Sequence, residues 1–393
     1  MHSFARTLAT SYSPLNDVGP LDQSPSRGVF YEGIDLLRAG AVFLVLWSHA
    51  GPLLPEPWRH LLYANWFRPG FWGVTMFFAI SGFLIIGQLL DVVTGRRQET
   101  VKVFVLRRWF RTVPTYWILL VALCGTGVVI WFGWRTLILN AFFIQGQFIG
   151  VPALLPVSWS LVIEEWSYLF YAVFTALLLF CRRRYQLPHW LMERSFLALL
   201  LFLPCLSGLL RWWVIDQGAS VQMIKQGLIP QIDALSYGGL LAWWLRRSPE
   251  RFNRLAQSGN VMLPILIIVI CVVSTSVPDL FRNVLDPLPE SSRLWVAFGF
   301  YPTVGLLASA LIASSWKFRY SFLPSAMRRA FRELSRCSYS VYLLHMPLAG
   351  LLIQFDLPLI LRLLIYFLGS IGLGSLCWQC LERPFMRLRS KIC

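Results

Sequence analysis

The chain has 393 residues, of which 56% are hydrophobic and 14% are charged, and its formal net charge is +16. A soluble globular domain carries about a quarter charged residues, so this composition excludes an ordinary soluble protein. The basic residues cluster between long apolar runs, which is typical of cytoplasmic loops in membrane proteins, and the positive charge therefore does not indicate nucleic-acid binding.

Ten apolar runs, each near the roughly 20 residues that cross a bilayer as a helix, follow one another along the chain. They cover about 34–54, 70–90, 112–133, 158–181, 195–215, 228–245, 260–277, 294–316, 338–354 and 358–381. With ten spans, every basic cluster falls on the side of the two termini, which is the cytoplasm. The sequence therefore predicts an all-α, polytopic membrane protein with about ten transmembrane helices and both termini cytoplasmic.

The domain organisation follows from these runs. Residues 1–28 are polar and have no apolar stretch typical of a signal peptide, so we expect a flexible cytoplasmic tail. Residues 29–385 form the transmembrane domain, and 386–393 a short basic cytoplasmic end. The segment 134–157 contains Gly and Pro breakers, and its apolar middle is compatible with either an external or a re-entrant segment.

The first run carries three ionisable side chains, Asp35, Arg38 and His49. Arg38 and His49 are eleven residues apart, which places them on nearly one helix face about 16 Å apart. Asp35 lies three residues before Arg38 and faces it. Arg38 is either a ligand contact or a cation at the membrane surface. His49 is either functional or a histidine at the outer end of the helix.

The second run and the basic loop after it supply a second set of candidates. Gly73 and Ser81 are small residues that allow close helix packing, which is the simplest account of them. Arg108 and Arg111 share a helix face and are either ordinary cytoplasmic charge or a clamp for phosphate groups.

Early in the fourth run, Glu164 and Glu165 are flanked by Trp159 and Tyr168. Two carboxylates beneath the outer surface are costly unless they face a cavity, although an exposed helix N-terminus would also suit an acid. We favour a functional role for the pair. In the ninth run, His345 follows Tyr342 by one turn and precedes Pro347, and packing and function explain it equally well.

Cofactor chemistry has no signature in this sequence. Walker, dinucleotide-binding, HExxH and paired CxxC motifs are all missing, and the 8 cysteines have no metal-ligand spacing. We therefore expect no metal site and no bound cofactor.

Taken together in order, these residues resemble the acyltransferase 3 family of membrane O-acyltransferases, from about Gly33 to Pro384. The motifs that carry the resemblance are Arg38 with ten residues to His49; Gly73-Val-Thr-Met-Phe-Phe-Ala-Ile-Ser-Gly-Phe83; Arg107-Arg-x-x-Arg111-x-x-Pro114; Trp159-Ser-Leu-x-x-Glu-Glu165; Ser338-Tyr-Ser-x-Tyr-Leu-x-His345; and Glu382-Arg-Pro384.

The resemblance implies an enzyme of the bacterial inner membrane that moves an acyl group, by expectation acetyl, from cytoplasmic acyl-CoA to a carbohydrate hydroxyl outside. The acceptor class would be an exopolysaccharide, a lipopolysaccharide or a lipid-linked sugar. His49 would be the general base, and Glu164 or Glu165 would orient it or the acceptor. Arg38, Arg108 and Arg111 would bind the donor, with Asp35, Ser81, Trp159, Tyr168, Tyr342 and His345 in support. No appended SGNH-type domain follows the last run, which implies a standalone enzyme.

Two other classes of function remain open. A proton-coupled transporter or flippase could use Arg38, His49 and the glutamates as a relay, although the sequence has no internal repeat. A sensor or scaffold would need neither His49 nor the glutamate pair. Direct transfer and a covalent acyl-enzyme are both compatible with the residues.

Overall fold

The structure is a computed structural model, described here for residues 32–58, 69–125, 128–146, 152–275, 287–318 and 323–392. In these ranges the regular elements are helices, and one isolated antiparallel bridge joins Ser220 to Pro287. The all-α prediction is confirmed for them. The predicted tail at 1–28 lies outside the described residues.

Sixteen α-helices are used below, numbered in chain order through the described ranges. They are α1 Glu32–His49, α2 Pro69–Ser81, α3 Gly87–Val93, α4 Val101–Cys124, α5 Val128–Ala141, α6 Trp159–Tyr185, α7 His189–Asp216, α8 Val221–Gln226, α9 Ser236–Arg247, α10 Pro249–Gln257, α11 Gly259–Thr275, α12 Glu290–Leu294, α13 Tyr301–Ser315, α14 Ser325–Leu352, α15 Leu359–Cys377 and α16 Arg383–Ile392. Three π-helical turns continue the chain between consecutive helices: Gly82–Ile86 joins α2 to α3, Trp295–Phe300 joins α12 to α13, and Trp378–Glu382 joins α15 to α16.

Several of these helices are long and apolar enough to cross a membrane. Five qualify, and a bent pair formed by α10 and α11 raises the number to six. The other predicted spans differ for physical reasons. Helices α1 and α4 each carry three or more charged side chains, the run 338–354 in α14 is interrupted by polar residues such as Ser340 and His345, and α9 has only 12 residues. The structure therefore shows a multi-pass membrane protein, and the full set of ten spans stays a prediction.

The predicted start of the sixth run at 228 is wrong, because α9 begins only at Ser236. Residues Ile229–Gln231 form a single 3-10 turn instead. The carbonyl group of Pro230 accepts hydrogen bonds from the Ser207 hydroxyl (2.9 Å) and from the Arg211 guanidinium (2.8 Å). In a continuous helix this carbonyl would accept a backbone hydrogen bond. Because the two side chains replace that bond, the break in the helix is tolerated in the protein interior.

Helix α1 is packed on both sides, against α2 and against α14, which in turn packs on α15. Small residues on these helices allow their backbones to lie close together. A β-carbon added at Gly73 of α2 would lie 2.5 Å from the Ala41 carbonyl oxygen of α1, whereas one added at Gly40 would meet nothing within 4 Å. The predicted role of Gly73 in close helix packing is confirmed.

We expect Gly73→Ala to lower the thermal stability of the purified protein and Gly40→Ala to leave it unchanged or slightly higher. The methyl group at position 73 must push α1 and α2 apart, and such overpacking costs about 1–3 kcal/mol. The same change at the open position 40 gains helix propensity without a clash. The unfolding midpoint in detergent measures both variants, and equal midpoints would contradict the close contact.

Candidate active site

A cavity of about 90 Å³ lies between α1, α2, α4, α6 and α14. Its lining combines cationic, anionic and hydroxyl-bearing side chains with aromatic ones. The lining residues are Arg38, Val74, Phe77, Phe78, Ser81, Ile85, Arg108, Arg111, Thr112, Ser160, Leu161, Glu164, Tyr168, Ser338, Tyr339 and Tyr342. Because most of the sequence-predicted site residues meet here, this cavity is the candidate active site.

Three arginines make one part of the cavity wall strongly cationic. Arg108 is buried, and one of its terminal nitrogens donates to the Gln88 side-chain oxygen at 3.3 Å. The Nε atoms of Arg38 and Arg108 are buried and have no hydrogen-bond partner within the described structure. Buried donors of this kind are costly unless a ligand accepts from them, so this wall is suited to an anion.

Asp35 does not use Arg38 as its hydrogen-bond partner. Its Oδ1 accepts from the Ser335 hydroxyl of α14 at 2.6 Å, and Arg38 acts on it only as a nearby charge. Of the two expected roles of Asp35, the structure therefore favours charge compensation of Arg38 over a direct hydrogen bond. Asp35 instead ties α1 to α14, which leaves the Arg38 guanidinium at the cavity.

The two glutamates have different surroundings. Glu164 lines the cavity, where its Oε1 accepts from the Ser81 hydroxyl at 2.5 Å and from the Tyr168 hydroxyl. Glu165 is buried behind the wall, where its Oε1 accepts from Thr112 at 2.7 Å. Only Glu164 therefore presents its carboxylate to the cavity, while Glu165 acts through Thr112.

His49 and His345 form a pair just beyond Tyr342. The His345 ring centroid lies 5.9 Å from that of Tyr342 and 5.0 Å from that of His49. The Nε2 of His345 is 3.2 Å from the Nδ1 of His49. Each Nδ1 also contacts the carbonyl oxygen four residues earlier, at 3.0 Å for His49 and 3.2 Å for His345.

These contacts assign the tautomers of the neutral pair. A carbonyl oxygen can only accept, so each Nδ1 carries the proton. The His345 Nε2 is then unprotonated and accepts from His49 Nδ1–H. The Nε2 of His49 is left as the basic nitrogen of the pair.

The structure thus brings together Arg38, Ser81, Arg108, Arg111, Glu164, Tyr168 and Tyr342 around one cavity, with the histidine pair next to it. Among the described residues, the glutamates accept from Ser81, Tyr168 and Thr112, and the side-chain partner of His49 is His345. His345 is thus in direct contact with His49, and the expectation that a glutamate orients His49 or the acceptor stays a prediction. Trp159 lies at the cavity border, where its ring packs edge-on against Phe78.

Sequence reasoning gave no role to Glu382, although it quoted the Glu-Arg-Pro motif that contains it. This carboxylate is buried in the π-helical turn after α15 and accepts from the Ser340 hydroxyl. It lies near enough to Arg38 and Arg111 to attract both. Glu382 therefore helps to balance the positive charge of the cavity wall.

A second buried group, Arg211 with Asp233, was given no role in the sequence analysis. The guanidinium contacts both carboxylate oxygens, at 3.0 and 3.1 Å, and the Tyr237 hydroxyl donates to Asp233 at 2.7 Å. A charged residue inside an apolar run was the available signal. Because the group is saturated and supports the broken backbone at Pro230, its role is structural.

Across the described ranges, no three His, Cys, Asp or Glu side chains are grouped closely enough to hold a metal ion. The groups that line or adjoin the cavity are an anion-binding wall, a carboxylate with two hydroxyl donors and an imidazole pair.

Comparison with known proteins agrees with the sequence resemblance. The chain is 25% identical to the peptidoglycan O-acetyltransferase OatA of Listeria monocytogenes over 91% of its own length and 56% of the relative. A putative O-acetyltransferase of Staphylococcus aureus is 23% identical, over 91% of this chain and 58% of the relative. A putative peptidoglycan O-acetyltransferase of Bacillus subtilis is 24% identical, over 90% of this chain and 55% of the relative.

The chain therefore spans little more than half the length of these curated relatives. No solved structure matches it. The profile of the family described as "Acyltransferase domain" matches residues 31–379, which is most of the chain. The chain belongs to this acyltransferase family.

Proposed function

We propose that this protein is a membrane O-acyltransferase that moves an acyl group, by expectation acetyl, from cytoplasmic acyl-CoA to a hydroxyl of an outer glycan. The observation that carries the proposal is the order of groups around one cavity. An arginine wall suited to phosphates lies in the same cavity as Glu164 and Tyr342, and a basic imidazole lies just beyond Tyr342. The relatives' names as O-acetyltransferases support the acetyl group and the glycan acceptor.

The arginines are the donor-binding groups in this proposal. Coenzyme A carries phosphate groups at its nucleotide end, and guanidinium groups bind phosphate oxygens through paired N–H donors. Arg38, Arg108 and Arg111 lie toward the helix ends that the positive-inside rule places in the cytoplasm. The pantetheine arm and its thioester then extend through the cavity toward Tyr342 and the histidines.

His49 acts as the general base. Its Nε2 takes the proton of the acceptor hydroxyl as that oxygen attacks the thioester carbonyl carbon, and the C–S bond breaks to release the CoA sulfur. The imidazolium returns the proton to the departing thiolate. His345 accepts a hydrogen bond from the Nδ1–H of His49. This contact orients the His49 ring so that its own Nε2 points away from His345. Glu164 remains in place through Ser81 and Tyr168 and orients the acceptor.

The topology in this proposal has ten spans and cytoplasmic termini in the bacterial inner membrane. It gives α1 a direction, with Arg38 toward the cytoplasm and His49 toward the outside. The donor then arrives at one end of the cavity and the acceptor at the other, so that one protein connects the two sides of the membrane.

Turnover by the purified protein tests the proposal. In detergent, without any gradient, we expect acetyl-CoA and a peptidoglycan glycan fragment to give free CoA thiol and an acetylated glycan, detected by a thiol reagent and mass spectrometry. A proton-coupled transporter would leave acetyl-CoA intact under these conditions. Intact acetyl-CoA together with gradient-driven glycan movement in vesicles would replace this proposal with the transporter.

The histidine contact gives a separate prediction. His345→Leu removes one of the two acceptors that His49 Nδ1–H contacts and leaves the Val45 carbonyl as the other. It should lower kcat by up to about tenfold, the worth of one hydrogen bond. His345→Gln places an amide oxygen near the original Nε2 position and should restore most of the rate. The KM for acetyl-CoA should not change in either variant. Equal losses in both variants would show that His345 serves packing only.

A further inference from the structure

A second and larger cavity, of about 460 Å³, lies beside the candidate active site. It is a groove between the segment that leads into α6 and the short helix α8. The described residues that line it are Gln145, Gly146, Pro152, Ala153, Pro156, Trp159, Ser220, Gln222, Met223, Gln226 and Gly227. Its volume is within the range of about 300–1,000 Å³ that is typical of small-molecule sites.

The chemistry of this groove differs from that of the arginine-lined cavity. None of its described lining residues carries a charge, and three of them are glutamines. Gln222 and Gln226 face each other on α8, with the Gln222 amide nitrogen donating to the Gln226 oxygen at 3.3 Å. Lys225, between them, has its ammonium group over the Phe71 ring, 5.9 Å from the centroid. Amides offer donors and acceptors together, which suits hydroxyl groups.

One buried polar atom of the groove lacks a partner. Gln145 is fully buried, and its amide nitrogen donates to Ser158 Oγ at 3.0 Å and to the Tyr116 hydroxyl at 3.2 Å. Its side-chain oxygen makes no hydrogen bond within the described structure. An unsatisfied buried acceptor is costly, and a hydroxyl donor from a ligand would satisfy it.

The groove and the candidate active site share a wall at the start of α6. Trp159 lines the groove, and the next residue, Ser160, lines the cavity. The Trp159 ring packs edge-on against Phe78 of the cavity wall, with 6.5 Å between centroids. The Ser160 hydroxyl is 2.7 Å from that of Tyr342, a cavity residue whose ring centroid lies 5.9 Å from that of His345. A ligand in the groove would therefore lie one side chain away from the reacting end of the cavity.

We propose that this groove binds an uncharged sugar unit of the acceptor glycan, with Trp159 against a ring face and Gln145, Gln222 and Gln226 at its hydroxyls. An indole presents a flat apolar surface, and the C–H face of a pyranose packs well on it. The inference rests on the proposed transferase function, because it names the acceptor subsite of that reaction. It assigns the donor and the acceptor to two neighbouring cavities of opposite character, one cationic and one neutral.

Binding measured without any acyl donor tests this assignment independently of turnover. The probe is the tetramer of β-1,4-linked N-acetylglucosamine, titrated calorimetrically into the full chain in detergent. We expect the wild type to bind it, and the double variant Gln222→Ala/Gln226→Ala to bind about tenfold more weakly, because two amide contacts are lost. Gln217→Ala is the matched control, since this exposed amide follows α7 near the groove and is not part of its lining.

The outcomes separate the two proposals. Three results would each overturn the neutral sugar site. They are a wild type that fails to bind the neutral tetramer, a double variant that binds it as well as the wild type does, and a tetramer of galacturonic acid that binds more tightly than the neutral one. Binding of the tetramer that depends on Gln222 and Gln226, without acetyl-CoA consumption by the wild type, would support the site and count against the transferase. Trp159→Phe, which keeps an aromatic surface, should weaken binding less than Trp159→Leu.

Discussion

Replacing His49 by alanine should lower kcat/KM for acyl transfer about 10²–10⁴-fold, the usual contribution of a general base. In the structure the Nδ1 of His49 is held by the Val45 carbonyl and by His345, so its Nε2 is the basic nitrogen. Without that imidazole, the acceptor hydroxyl must attack while it still carries its proton. The measurement is CoA release by the purified variant with a glycan acceptor at saturating acetyl-CoA.

The control for this variant is His189→Ala. His189 is exposed at the start of α7 and contacts Arg182 and the Val93 carbonyl rather than the cavity. It should keep wild-type turnover. The His49→Ala protein should also keep its unfolding midpoint and its affinity for CoA, since the arginine wall is untouched. Wild-type turnover in His49→Ala would remove the general-base assignment.

Arg108→Ala should raise the KM for acetyl-CoA about 10–100-fold, because a charge-assisted hydrogen bond contributes about 1.5–3 kcal/mol. Arg111→Ala should have an effect of the same sign, and it is the safer variant because Arg111 is less buried than Arg108. The change should concern binding of the phosphate end of the donor. Initial rates over a range of acetyl-CoA concentrations give the KM of each variant.

Two comparisons make the arginine prediction specific. Arg107 is the neighbour of Arg108 in sequence, but it pairs with Glu99 at 3.0 Å and does not line the cavity, so Arg107→Ala should leave the KM unchanged. Acetyl-pantetheine lacks the nucleotide phosphates, and its KM should be nearly the same in the wild type and in Arg108→Ala. A large effect on this truncated donor would assign Arg108 to the reacting end or to folding instead.

Local sequence was sufficient to predict most of the helices and to single out residues that the structure places at one cavity. The length of each apolar run and the charge at its ends predict a helix and its approximate bounds, because both act within one element. The run from 70 to 90 lies within the observed helical stretch of 69–93. The sixth run was mispredicted because its break depends on Arg211, a residue of another helix, which satisfies the carbonyl of Pro230.

The sequence by itself determined that this is a helical membrane protein, and the ordered motifs indicated its family. Tertiary structure decided which polar groups meet. Ser81 contacts Glu164 from 83 positions away, and His345 contacts His49 from 296 positions away. Helical periodicity gives the face of a side chain but not the helix opposite it, and that choice is made by close packing of small residues such as Gly73. The neutral groove beside Trp159 is likewise a product of tertiary structure, because its walls come from α8 and from the segment before α6, which are distant in sequence.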